Sequence, residues 1–283
     1  MKNIAIITDS TCDIPLELIE KHHIYVVPLT IVWGEQQYLD GVELSAENFY
    51  ERLSTDSLRP TTSQPAPSLF LSTFEQAVKE GAEEIIVITI SSAMSGTIQS
   101  ARTAADNFRV PVYILDSKTN SMSLGWQVLT AARGRDAGAS AAEIVAQVDE
   151  IRQKQHFHIT LETLEYLIQG GRIAGAARLI SGLLHIKPEI KVNHESGSVE
   201  AVGISHTRKI SIDRLFTNFF KNLDTTRPLH IAVLHNAALE EAQALARRVE
   251  EEFHPCELMI SIVSPVLGVH TGPKALGLAG FNE

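Results

Sequence analysis

The chain opens on a short apolar run, residues 4–8, followed by the polar turn Asp9-Ser10-Thr11-Cys12-Asp13. This pattern of a buried strand, a hydroxyl-rich turn and a helical stretch recurs through the first half. Asp13 is expected to cap a helix over residues 15–21. Residues 25–33 read as one strand, Gly34-Glu35 as a hairpin turn and residues 36–39 as its return. Ser45 caps a predicted helix reaching Leu53. Residues 61–67, TTSQPAP, read as an extended loop, and residues 68–79 as an amphipathic helix stopped by Gly81. The β-branched run IIVITI at 85–90 leads through SSAMSGT at 91–97 into a helical pattern over 98–108. Residues 112–115 form another strand, and two helices span about 122–136 and 141–155.

The texture changes after Gln155. Residues 156–161 read as a strand and 162–168 as a short helix. GGRI at 170–173 precedes a small-residue helix over 175–184. Residues 188–193 and 199–204 read as two antiparallel strands. A helix over 210–223, a strand over 229–235, a helix over 239–253 and a strand over 258–263 follow. The last strand ends in a Gly-rich tail, 268–280, read as irregular. Alternating strands and helices predict parallel sheets with helices on their faces. The expected fold is α/β, with two domains, 1–155 and 156–283. In such sheets the ligand sits beyond the carboxyl ends of the strands. Four polar turns fall there in the first half: 9–13, 61–64, 91–97 and 116–120.

Composition narrows the class. An apolar fraction of 44% fits a folded chain, and 24 basic against 34 acidic residues give a net charge of −10. That balance disfavours general binding to nucleic acid or anionic lipid surfaces. No stretch approaches a membrane span, and no signal peptide is read at the start. Cys12 and Cys256 are too far apart in sequence to suggest a metal motif or disulfide framework. The expected setting is the cytoplasm.

The chemistry concentrates in the hydroxyl loops. Ser95-Gly96-Thr97 follows a strand and opens a helix, where free backbone N–H groups attract an anion. Gly96 allows close backbone approach. Thr61, Thr62, Ser63 and Gln64 form a second polar loop, stiffened by Pro60 and Pro65. His270, in HTGPKALG, is a positioned polar group able to donate to an anion. Arg172, Arg208 and Lys209 are cations suited to a phosphate or an acidic partner, or simply solvated. The eleven histidines show no metal spacing. GxSxG, GxxxxGK[ST] and GxGxxG motifs are all absent, which weighs against a hydrolase elbow or a nucleotide loop.

Seven segments in order, DSTCDIP, TTSQPAP, SSAMSGT, LDSKTNSMSLG, LIQGGRI, IKPEI and HTGPKALGLAG, resemble the DegV family over essentially the whole chain. The resemblance implies a two-domain DegV-like fold: an N-terminal parallel-sheet α/β domain and a C-terminal α/β domain with a mixed sheet. It implies a carrier, not an enzyme by itself, with no cofactor and no metal. The ligand would be a long-chain fatty acid such as palmitate, whose carboxylate is presented to a separate fatty-acid kinase; the acyl phosphate then feeds phospholipid synthesis. The family's carboxylate-binding residues fall on Thr62 and Ser95, with Gly96 and His270 beside them. Arg172, and with it Arg208, falls on the expected kinase-facing side. The alternative is a small-molecule phosphotransferase or hydrolase with its own site in the same crevice. One departure is Lys274, which stands where the family pattern often reads glycine.

Overall fold

The computed structural model describes residues 3–179 and 186–283, with the side chains of 178 and 179 excepted. The strands and helices, in chain order, begin with β1 (Ile4–Asp9), α1 (Leu16–Lys21), β2 (Ile24–Val27), β3 (Thr30–Trp33) and β4 (Gln36–Leu39). Next come α2 (Ala46–Thr55), β5 (Thr61–Ser63), α3 (Pro67–Lys79), β6 (Glu84–Thr89), α4 (Thr97–Ala105) and β7 (Val112–Asp116). The middle of the chain supplies α5 (Ser121–Asp136), α6 (Ala141–Lys154), β8 (His156–Thr160), α7 (Glu165–Gln169), β9 (Lys187–Val192) and β10 (Val199–Ser205). The last part supplies α8 (Arg208–Phe220), β11 (Leu229–His235), α9 (Leu239–Phe253), β12 (Glu257–Ile262), α10 (Pro265–Thr271) and β13 (Leu276–Asn282).

The first sheet is all parallel, in the order β2-β1-β6-β7. Its central strands are apolar on both faces, as a sheet covered on both sides requires. Ala5, Ile7, Ile85 and Val87 pack under Phe70 and Phe74 of α3 and Ala101 of α4. On the opposite face, Ile4, Ile6, Ile86 and Ile88 meet α5. The second sheet is mixed, in the order β10-β9-β8-β13-β11-β12, with only β11 and β12 parallel. Ile231 and Val233 face α8 and α9, whereas Ala232 and Leu234 face inward. Thus α5 and α6 lie between the two sheets. Helix α5 shows no amphipathic stripe because it is buried nearly all round, from Met122 to Ala132. Its Trp126 indole N–H donates to the Ala279 carbonyl at 3.2 Å. Among the described residues no helix is long and apolar enough to cross a membrane.

Several sequence expectations change here. Residues 25–33 are two strands, not one: β2 joins the parallel sheet, while β3 joins a separate antiparallel sheet, β4-β3-β5. Pro28, which lacks an N–H, stands at the break, and the next amide, Leu29, donates instead to the Ser10 hydroxyl at 3.0 Å. TTSQPAP is not wholly loop, because Thr61–Ser63 pairs with β3. The helix read over 98–108 is Thr97–Ala105. The stretch read as a small-residue helix shows a 3₁₀ turn at Ala174–Leu179, and the rest of that reading lies outside the described residues. The Gly-rich tail is not irregular. It contains α10 and β13, and β13 sits at the centre of the second sheet, antiparallel to β8 and β11.

Candidate functional site

A cavity of about 360 Å³ opens on the inner face of the second sheet, toward the carboxyl ends of the first. This lies within the usual range of small-molecule sites, roughly 300–1,000 Å³. The period-2 alternation of strands decides its walls. Phe157 and Ile159 of β8, with Ile190 and Val192 of β9, point into it. His158 and Glu189 point to the opposite face, where they contact each other at 3.0 Å. Leu234 of β11 and Val266 and Leu267 of α10 complete an aliphatic interior. Several of these side chains also belong to the main core, so the cavity is a gap left inside the hydrophobic packing.

One end of the cavity is polar. Thr62, Ser95, Gly96, Arg172 and His270, all singled out in the sequence, lie on its wall. The Thr62 hydroxyl lies 2.9 Å from His270 Nε2. Ser95 Oγ is 2.9 Å from Thr97 Oγ1. The backbone passes close at Gly96, where a Cβ would fall 1.9 Å from Gln64 Oε1. Gly96, the N-cap of α4, offers no side chain to its first turn, and the Thr97 amide there donates to Ser95 Oγ at 3.3 Å. Gly170 has a similar role, since a Cβ there would lie 2.1 Å from His270 Nδ1. Burial, with the Arg172 charge adding to it, pushes His270 down to about 4, so the imidazole is neutral at ordinary pH. Its Nδ1 is buried without a hydrogen-bond partner among the described residues.

The structure adjusts the arginine assignments. Arg172 lies on the cavity wall itself, held by the carbonyls of Gly170 at 2.6 Å and Met94 at 3.3 Å. Arg208 is not brought to this site. It begins α8 and forms a two-bond ion pair with Glu241, at 3.0 and 2.7 Å. Lys274 does not line the cavity. It takes a left-handed backbone (φ 61°), where glycine would be unstrained, and its amide donates to Asn236 O at 2.7 Å.

Asn120, from the fourth polar turn, also lines the cavity, as do Asn236 and Thr271, neither of which the sequence reading singled out. Asn236 Nδ2 donates to Thr271 Oγ1 at 2.8 Å and to the Gly272 carbonyl at 2.6 Å, which holds the end of α10. Nothing local marks Asn236; only the return of β11 beside α10 places it there.

The first polar turn supports the site without lining it. Asp9 accepts from the Ile90 amide at 2.7 Å and from Thr11. Asp13 does not cap α1, whose N-cap is Pro15. It accepts from the Ser121 hydroxyl at 2.5 Å and the Ser264 amide at 2.9 Å, tying the starts of α5 and α10 together. Ser10 donates to Asp40 at 2.7 Å. Burial raises all three carboxyls, Asp13 to about 7 and Asp40 to about 8, with hydrogen bonds opposing it.

A carboxyl raised on folding stabilises the native state fully below its unfolded value, and that contribution is lost as pH rises through the folded value. For Asp40 the window runs from 3.8 to about 8. Asp40→Asn keeps an acceptor for Ser10 and removes the titration. Relative to the parent, its unfolding midpoint is expected to rise by at least ~2 °C between pH 5 and pH 9, the size of about 1 kcal/mol in a chain of this length. Thermal melts of both proteins across that range check this; a constant difference between them contradicts it.

One group of possible metal ligands exists among the described residues, although the sequence spacing showed none: His230, Cys256 and Glu283, with ligand atoms within 4.8 Å of one another. Its histidine is engaged with Glu257 at 2.9 Å and Glu283 at 3.1 Å.

Comparison with known proteins agrees with this fold. The DegV family model, described as "Uncharacterised protein, DegV family", matches residues 3–283. A DegV domain-containing protein of Halalkalibacterium halodurans is 34% identical over 284 residues, covering 100% of both chains. The structure of DegV, a fatty acid binding protein from Bacillus subtilis, superposes with a TM-score of 0.92 at 29% identity, covering 100% of both chains. A fatty-acid-binding DegV family protein from Thermus thermophilus gives 0.92 at 28% identity, covering 99% of this chain and 100% of its own. With its parallel four-stranded sheet, its mixed six-stranded sheet and the polar-ended cavity between them, this chain belongs to the DegV family.

Proposed function

We propose that this protein binds one long-chain fatty acid in the cavity and presents its carboxylate to a separate fatty-acid kinase. The observation that supports this reading is the pairing of one polar end, Thr62 with His270 and Ser95 with Gly96, to an interior lined mainly by apolar side chains. An amphiphile with a single compact anionic head fits such a cavity. Each buried CH₂ contributes about 0.8 kcal/mol, so ten give roughly 8 kcal/mol before ordering costs. A carboxylate buried without donors would cancel much of that gain. With Nε2 protonated, neutral His270 donates to the Thr62 oxygen. The Thr62 hydrogen is then free to donate to the carboxylate, as is the Ser95 hydroxyl beside it.

In this reading the kinase supplies the catalysis. It transfers the terminal phosphoryl group of a nucleoside triphosphate to a carboxylate oxygen; a P–O bond forms to that oxygen and the nucleoside diphosphate leaves. Arg172, at the mouth, would face the kinase. The direct test is mass spectrometry of the organic extract of the purified protein, together with binding of added palmitate to delipidated protein. One equivalent of fatty acid, exchangeable with palmitate, is expected. No lipid and no palmitate binding would overturn the reading. Acyl phosphate made from nucleoside triphosphate by the isolated protein would remove the need for a separate kinase.

A further inference from the structure

A second, smaller cavity of about 200 Å³ lies against the polar end of the first and shares Thr62, Arg172 and His270 with it. Its other walls include Arg59, Thr61 and Tyr166. It holds two guanidinium groups, and among the described residues no carboxylate lines it. That is unusual ground in a chain of net charge −10.

Both charges are fixed in place by neutral partners. The Arg59 guanidinium lies 5.0 Å from the Tyr166 ring centroid, and its Nη1 donates to the Tyr166 hydroxyl at 3.0 Å. Among the described residues, Arg172 is anchored by the two carbonyls described above. Held this way, the arginines keep their full positive charge and spare N–H donors, whereas Arg208 is neutralised by Glu241. A planar guanidinium fork matches the oxygens of a tetrahedral oxyanion better than an ammonium does.

We infer that this second cavity is a phosphoryl site: it takes a phosphate group carried on the head of the chain that fills the first cavity, with Arg59 and Arg172 as its two cationic walls. The inference rests on the fatty-acid reading. A head-group oxygen accepting from Thr62 stands at the wall common to both cavities, so a group attached to it projects into the second. Arg59 lines only the second cavity. It therefore distinguishes a phosphorylated head from a bare carboxylate, and we assign it to specificity for the former.

The test uses the delipidated full chain and three probes: a long-chain fatty acid, an alkyl phosphate of the same chain length, and inorganic phosphate added to fatty-acid-loaded protein. Arg59→Gln, at an exposed position, is expected to weaken alkyl phosphate binding about ten-fold. Fatty acid binding should stay within about two-fold, and the unfolding midpoint should not change. Arg59→Lys should recover part of the loss. Equal effects of Arg59→Gln on both amphiphiles, or alkyl phosphate that does not bind a protein that binds the fatty acid, would overturn the inference alone. So would inorganic phosphate binding the loaded protein while the alkyl phosphate gains nothing from Arg59. If neither amphiphile binds the parent protein, the fatty-acid reading falls as well.

Discussion

Thr62→Val is expected to lower the affinity for a long-chain fatty acid by about 10- to 100-fold while leaving the fold intact. Valine matches threonine in shape, so the packing beside β3 survives and only the hydroxyl is lost. A hydrogen bond to a charged group contributes about 1.5–3 kcal/mol, and this one is doubled in importance because it also holds His270 Nε2 at 2.9 Å. The ring is already without a partner at Nδ1 and would then have none at either nitrogen. Ser95→Ala should have a smaller effect, since it releases the Thr97 amide, which donates to Ser95 Oγ in the parent, to serve the head group instead. Displacement of a fluorescent fatty acid, with thermal melts to control for folding, measures both. Unchanged affinity in Thr62→Val would remove the head-group role given to this end of the cavity.

Val192→Phe is expected to change which chain length fits. Val192 is only 8% exposed and lines the cavity from β9. A ring there fills space that a ligand's methylenes would use. Losing room for about four carbons removes about 3 kcal/mol of burial, or on the order of 100-fold for the longest acids. Shorter chains should be nearly unaffected. Overpacking adds a folding cost of about 1–3 kcal/mol. Binding of saturated fatty acids of increasing length to parent and variant checks this. A uniform loss at every length would mean that Val192 supports the structure and does not bound the ligand.

Much of the molecule was legible in the sequence where the signal is local. The apolar runs of β1 and β6 identify strands covered on both faces. Ser45, the apolar spacing of α3 and the Ser-Gly-Thr start of α4 mark helices and an anion-ready turn. The residues chosen from those turns, Thr62, Ser95 and Gly96, do reach one wall with His270. The errors fall where a distant partner outweighs local preference. Asp13 has the residue type of a helix cap, yet Ser121 and Ser264, far along the chain, take its oxygens. Pairing is hidden in the same way: Arg208 looks as free as Arg172 in sequence, yet Glu241 pairs with the first, while among the described residues carbonyls hold the second.

By itself the sequence determined the alternation of strands and helices, the α/β class and the hydroxyl loops with their capacity for an anion, because each depends on residues within a turn or two of one another. Tertiary structure alone decided that β13 enters the middle of the second sheet, that Phe157, Ile159, Ile190 and Val192 face a gap and not more core, and that Arg59 meets Tyr166 beside His270. The physical reason is that apolar residues carry the same pattern whether they pack against protein or surround an opening. Which of the two occurs depends on the spacing between sheets set by α5 and α6, and that spacing is fixed only when the distant segments pack together.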